Sequence, residues 1–235
     1  MQAVSGTYRK LLIWRCIIAH LSNGTQVFVE GSRGAAIDVT AISNAVTPVL
    51  TVSDAASLVV GDYLLFTSSA STLLADKQVR ITAISGTSVT VEGIDTSSTT
   101  KFPAGLTGEV VKITSWFEVP CVQDVSTDGG EQQFVNFQCL SDDREQQIPT
   151  YKSAVTNTFT FAHEYTNPVY PVLRNYDESG QVVAIRLFVP RASEMRLQSG
   201  TIAFNDTPTI GVNEIETVSI AVSIRGRLSS VAAEV

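Results

Sequence analysis

Between Thr217 and Ile224 the chain alternates without a break: Val218, Ile220, Val222 and Ile224 on one beat, Thr217, Ser219, Ala221 and Ser223 on the other. A helix would scatter both sets around its axis, whereas a strand sends them to opposite faces. The segment therefore predicts a half-buried strand, set within an extended stretch at residues 214–227, with an aliphatic face on a core and a hydroxyl-bearing face turned away. Residues 155–163 repeat the pattern, Phe159 and Phe161 against Thr156, Thr158 and Thr160. The period then switches. Val169, Val172, Leu173 and Tyr176 recur as i, i+3, i+4 and i+7, the mark of a short amphipathic helix. Asn167 is placed to cap it, Pro168 suits a first helical position and Gly180 a left-handed stop, although Pro171 also admits a later start. Further strands are predicted at 182–189, stopped by Pro190, and at 200–204. The expectation is a mainly β protein, a β-sandwich on one short α-helix that contacts the core through Val172, Leu173 and Tyr176.

Upstream, residues 26–30 read as a strand ended by Gly31-Ser32-Arg33-Gly34, followed by a quiet stretch. Residues 47–113 have their own rhythm, with short strands at 49–52, 63–66, 79–84, 88–91 and 110–113 between turn signals such as Gly61-Asp62 and Ser85-Gly86. They suit a small barrel-like domain with a separate core. Beyond it come extended stretches at 116–120, 122–125 and 134–140, then a polar link at 141–153 that reads as a long solvated loop.

Function classes narrow by charge and by missing motifs. A net charge of -7 and a pI near 4.8 argue against a surface that holds nucleic acid through its phosphates. No HExxH, GxSxG, P-loop or GxGxxG pattern occurs. His163 closes a strand and reads as a structural histidine with a local partner. Asp142, Asp143, Arg144 and Glu145 carry three carboxylates, but neighbours on one loop diverge and the arginine opposes a cation, so they read as a solvated interaction loop rather than a metal site. Cys16, Cys121 and Cys139 lack zinc or disulfide-framework spacing; Cys121 and Cys139 are expected as small buried hydrophobes, with a bridge between them as the other reading. No catalytic residue, cofactor or metal is implied, so the chain does not read as an enzyme. Arg9-Lys10 and the apolar run after it lack a cleavage site, Arg15 interrupts the run, and it is too short to span a bilayer. Residues 1–20 are either an N-terminal extension or the product of a start set too early.

The order of elements carries a resemblance. Ser22-Asn23-Gly24-Thr25-Gln26-Val27-Phe28-Val29-Glu30, and residues 116–230 with their paired strands, long polar loop, strand, helix and closing strands, resemble the tail tube (major tail) proteins of long non-contractile-tailed bacteriophages. On this resemblance, residues 21–46 and 114–235 form the tail-tube domain and 47–113 an inserted decoration that the minimal family domain lacks. The resemblance implies hexameric rings stacked into a tube in the virion tail, assembled in the host cytoplasm, with tape-measure, tail-terminator and tail-tip proteins as partners, DNA passing without specific binding, and no membrane. It implies that residues 140–153, with Asp142, Asp143, Arg144 and Glu145, reach a neighbouring ring, and that Thr217, Ser219 and Ser223 are candidates for the lumen face. The alternative is a tail-tip or adhesion β-domain that binds a receptor or carbohydrate.

Overall fold

A computed structural model describes residues 22–141 and 143–233. Its longest strand, β1 (Gln26–Ile42), runs through two separate cores. The Gly31–Gly34 signal does not end this strand but bends it: the register with its neighbour slips repeatedly between Glu30 and Ala36, as bulges do. Gly31 is required there because a Cβ would run into the Phe117 ring.

The second half of β1 joins β2 (Val49–Val52), β3 (Tyr63–Ser69), β4 (Gln78–Ser85), β5 (Ser88–Glu92) and β6 (Gly108–Glu118) in a closed ring of strands, in the order β1-β2-β5-β4-β3-β6 and back to β1. Inside it Leu50, Leu64, Phe66, Val79, Val89 and Val110 form a buried core. Ile37, Val39 and Ile42 join them from the stretch that reads as quiet in the sequence.

The remaining elements are β7 (Val122–Gly129), β8 (Gln132–Phe137), β9 (Gln146–Lys152), β10 (Val155–Ala162), α1 (Val169–Ser179), β11 (Val182–Val189), a 3-10 turn at Pro190–Ala192, β12 (Glu194–Thr209), β13 (Thr217–Ile224) and β14 (Ser229–Ala232). The sheet path runs β6-β1-β11-β12-β13-β10-β7. Seven flat strands would measure about 29 Å from edge to edge at about 4.8 Å per gap. Yet the two edge strands, β6 and β7, are joined by residues 119–121 alone, a link that reaches about 14 Å. The sheet must therefore fold over on itself. It does so along β12, whose residues 194–201 pair with β11 while residues 200–209 pair with β13. The crossing point is Gly200, where a Cβ would strike the Ser223 carbonyl oxygen. This gives a sandwich: one layer of β6, β1, β11, the first half of β12 and β14, and a second of the last half of β12, β13, β10 and β7. Val27, Val29 and Ile185 from the first layer pack with Phe159, Phe161 and Ile220 from the second.

Helix α1 completes this core with Val169, Tyr170, Leu173 and Tyr176 buried and Val172 half-buried. Pro168 occupies the N-cap position, and Asn167 Oδ1 accepts the Val169 amide at 3.0 Å. Pro171 is the third helical residue, where an amide would lack an intrahelical partner in any case, so it does not delay the start. Gly180 ends the helix at φ 61 and donates to the Tyr176 carbonyl at 3.0 Å.

The strand ring docks on the outer face of the first layer. Tyr63, Leu65, Val111 and Ile113 meet Ala184, Leu197 and Val231, and the buried Gln78 amide donates to the Ile185 carbonyl at 3.2 Å and to that of Gln198. Both faces of β3 are consequently buried, which explains its unbroken run Tyr63-Leu64-Leu65-Phe66.

Candidate assembly surfaces

The outer face of the second layer carries short polar side chains in register. Three rows cross its four strands: Thr201, Ser223, Thr156 and Asp128; Ala203, Ala221, Thr158 and Ser126; Asn205, Ser219, Thr160 and Asp124. Thr217 extends the same face opposite Ala162. Thr217, Ser219 and Ser223 thus stand together on the surface facing away from the core. The rows hold no lysine, arginine or histidine and two carboxylates, so nothing in them attracts phosphate.

Strand β7 borders this layer. Among the described residues it pairs with β10 alone, leaving a row of backbone donors and acceptors open along its other side, the usual template for adding a strand. On the layer's opposite side, the last half of β12 has no strand partner beyond β13 among the described residues, but Asp177 of α1 accepts the Phe204 amide at 3.2 Å. One edge is open and the other is partly covered.

The polar link expected as a solvated loop is instead largely a strand. β9 pairs antiparallel with β8 as a two-stranded ribbon, separate from the main sheet, and its first strand stops at Phe137 rather than Leu140. The ribbon is clamped at its base, where Glu131 N donates to Ser153 Oγ at 3.0 Å and Ser153 N to the Glu131 carbonyl at 2.9 Å. Gly129 (φ 85) turns the chain into it with no space for a Cβ beside the Ala154 carbonyl. Asp143, Arg144 and Glu145 are exposed in the turn before β9; Asp142 lies outside the described residues, as do residues 1–20. Along the ribbon, Phe134, Val135, Phe137, Ile148 and Tyr151 are exposed, as is Leu140 in its turn. The expectation that Cys121 and Cys139 are buried is also corrected: both are free and exposed, Cys121 between β6 and β7 and Cys139 in the ribbon turn. Cys121 sits at φ 42 in the three-residue connection between β6 and β7, outside both cores.

Sites for small-molecule chemistry are weak by comparison. His163 Nδ1 meets the Tyr170 hydroxyl at 2.9 Å, and burial raises the pKa of that phenol. An aromatic trio of Phe28, Tyr63 and Trp116 is occupied by the chain's own Arg186, whose guanidinium lies 4.5–5.2 Å from the ring centroids; burial lowers its pKa. A groove of about 520 Å³ between β7 and the start of β1 is lined by Asp124, Val125, Leu187 and Arg196, among others, with no histidine or cysteine. Among the described residues no group of histidine, cysteine, aspartate and glutamate is arranged to hold a metal ion, and no helix is long and apolar enough to cross a membrane.

Comparison with known proteins agrees with a surface built for assembly. None of the curated proteins compared matches the chain. A family model described as phage tail tube protein matches residues 69–233, from the end of β3 through β14, and so reaches into the 47–113 segment. Covering most of the chain and every strand of the hydroxyl-faced layer, that match shows that the chain belongs to the phage tail tube protein family.

Proposed function

We propose that this chain is the repeating subunit of a tail tube, with the second sandwich layer turned toward the lumen. The observation that carries this reading is the set of three in-register rows on β12, β13, β10 and β7, uncharged but for Asp124 and Asp128. A DNA conduit requires a wall that neither grips phosphate nor presents apolar side chains, and short hydroxyls beside a few carboxylates satisfy both demands. Thr217, Ser219 and Ser223 are the lumen residues on this reading. Helix α1 stands behind the wall as a buttress through Leu173 and Tyr176, and the strand ring, docked on the other sandwich layer, faces outward as a decoration.

Lateral joining uses the open edge of β7. A strand donated by the neighbouring subunit continues the layer, and repetition around an axis closes it into one inner barrel without free edges. Six subunits per ring is the number the family resemblance implies. The β8–β9 ribbon reaches the adjacent ring, carrying Asp142, Asp143, Arg144 and Glu145 with it. Tape-measure, terminator and tip proteins meet the completed tube, and ejected DNA passes through it. Negative-stain microscopy of the purified protein tests the reading: rings or tubes are expected. A persistent monomer that binds host cells would instead point to an adhesion domain.

A further inference from the structure

Most exposed apolar side chains of the sandwich collect at two places, reached from opposite ends of the β10 and β13 strands. The β8–β9 ribbon leaves the sheet between Gly129 and Val155, which are paired with each other. At the other end of those strands, Ala162 pairs with Thr217, and beside them residues 210–216 connect β12 to β13 while Tyr165 begins the approach to α1. Eight-residue β10 separates the two ends by about 23 Å at about 3.3 Å per residue. Ten of the sixteen large apolar side chains exposed among the described residues lie in these two places. Six are on the ribbon or its turn. Four are at the far end: Tyr165 at 79% exposure, Ile210 at 72%, Val212 at 92% and Ile215 at 68%.

We infer that the far end is the seat for the ribbon of a second copy. This rests on the tube reading above and adds the receiving surface to it. An isolated two-stranded ribbon is marginal in water, and apolar side chains gathered on a soluble domain mark a contact surface. Here two unlike patches lie at the two ends of the same strands. A contact between unlike patches is heterologous: each copy that accepts a ribbon still offers its own, so the association continues as an open stack instead of ending at a dimer. The strands of the layer then run from one ring toward the next. Charge does not drive the contact: Asp143 and Glu145 outnumber Arg144 between them, so a net acidic turn approaches an end that carries Glu164, Glu214 and Glu216. The contact is apolar, and stacking is expected to strengthen as salt screens these carboxylates.

Two double variants test the pairing. Val135→Asp with Ile148→Asp spoils the ribbon, and Val212→Asp with Ile215→Asp spoils the seat; all four residues lie outside the buried cores, so melting temperatures should match the wild type. Each variant alone is expected to raise the critical concentration for tube growth by about tenfold or more, leaving single rings or monomers. Rings of each variant assembled separately and then mixed in equal amounts retain one intact ribbon-and-seat interface between them, so a discrete species two layers deep should form, without tubes, in mass photometry or analytical ultracentrifugation. Tubes of normal length from either variant alone, or no two-layer species in the mixture, would overturn the inference while leaving the tube reading intact. Failure of the wild-type protein to form rings or tubes would sink the tube reading, and the seat with it.

Discussion

Glu30 accepts the backbone N–H of Ala184 at 2.9 Å through Oε2, while its Oε1 lies 2.6 Å from Arg33 Nε. The carboxylate is fully buried, at the point where β1 leaves β11 and bends toward the strand ring. It takes up an amide that the departing strand can no longer pair. Arg33 completes the arrangement by donating to the Val182 carbonyl at 2.9 Å, so one ion pair fastens the junction between the two cores.

Replacing Glu30 with alanine would strand the Ala184 amide and leave Arg33 without its partner. A broken buried pair costs about 3–5 kcal/mol, and because Arg33 is one-quarter exposed the lower end of that range is expected. Glu30→Gln keeps an acceptor for the amide and should cost less. Urea midpoints of the two variants check the order; equal losses would mean that the amide contact contributes nothing.

Helix α1 offers a graded comparison. Leu173 is wholly buried between the sandwich layers, whereas Val172 is half-buried at the margin. Leu173→Ala should destabilise by about 2–5 kcal/mol, and Val172→Ala by clearly less. Chemical denaturation distinguishes them, and a helix that merely rests on the surface would show two small, similar losses.

The alternating strands around Thr217–Ile224 and Val155–Ala162, the helix period and the helix stop at Gly180 were legible in the sequence because each is a local pattern fixed by one buried face. The ribbon was not. Gln146-Gln147-Ile148-Pro149-Thr150-Tyr151-Lys152 has no face to bury within its own subunit, and Pro149 reads as a strand breaker although it sits harmlessly in a two-stranded edge. A barrel-like arrangement at 47–113 could be read from its short strands, but the part of β1 in closing it could not, because that depends on Val39 to Ile42 pairing with β2, a junction that the glycines at 31 and 34 made look like a loop. The hydroxyl face could be read residue by residue, but its rows needed the register between four strands.

Cys121 and Cys139 report on assembly without engineering. Both are exposed in the single chain, so both should react rapidly with a maleimide in dilute monomer. Cys139 lies in the ribbon turn and should be shielded once rings stack. Peptide mass spectrometry of labelled tubes checks this: Cys139 labelled as fast in tubes as in monomer would place the ribbon turn in solvent.

The lumen assignment is tested by placing the charge that the wall lacks. Ser219 and Ser223 stand four residues apart on β13, with Ala221 between them on the same face, in rows that end at Asp124 and Asp128 on β7. Ser219→Lys with Ser223→Lys puts two cations per subunit on the hydroxyl face without touching the core, so folding and tube formation should persist. If that face lines the channel, each ring becomes a belt of ammonium groups, and repeated rings bind phosphate cumulatively. Tubes of the double variant should then retain a short single-stranded oligonucleotide that wild-type tubes release, with affinity falling steeply as salt rises, because binding is driven by release of counterions. The same two lysines on the outside of the tube would bind a long duplex too wide to enter as readily as the short strand. Preferential retention of the short strand therefore places Ser219 and Ser223 inside, and equal binding of both would place them outside.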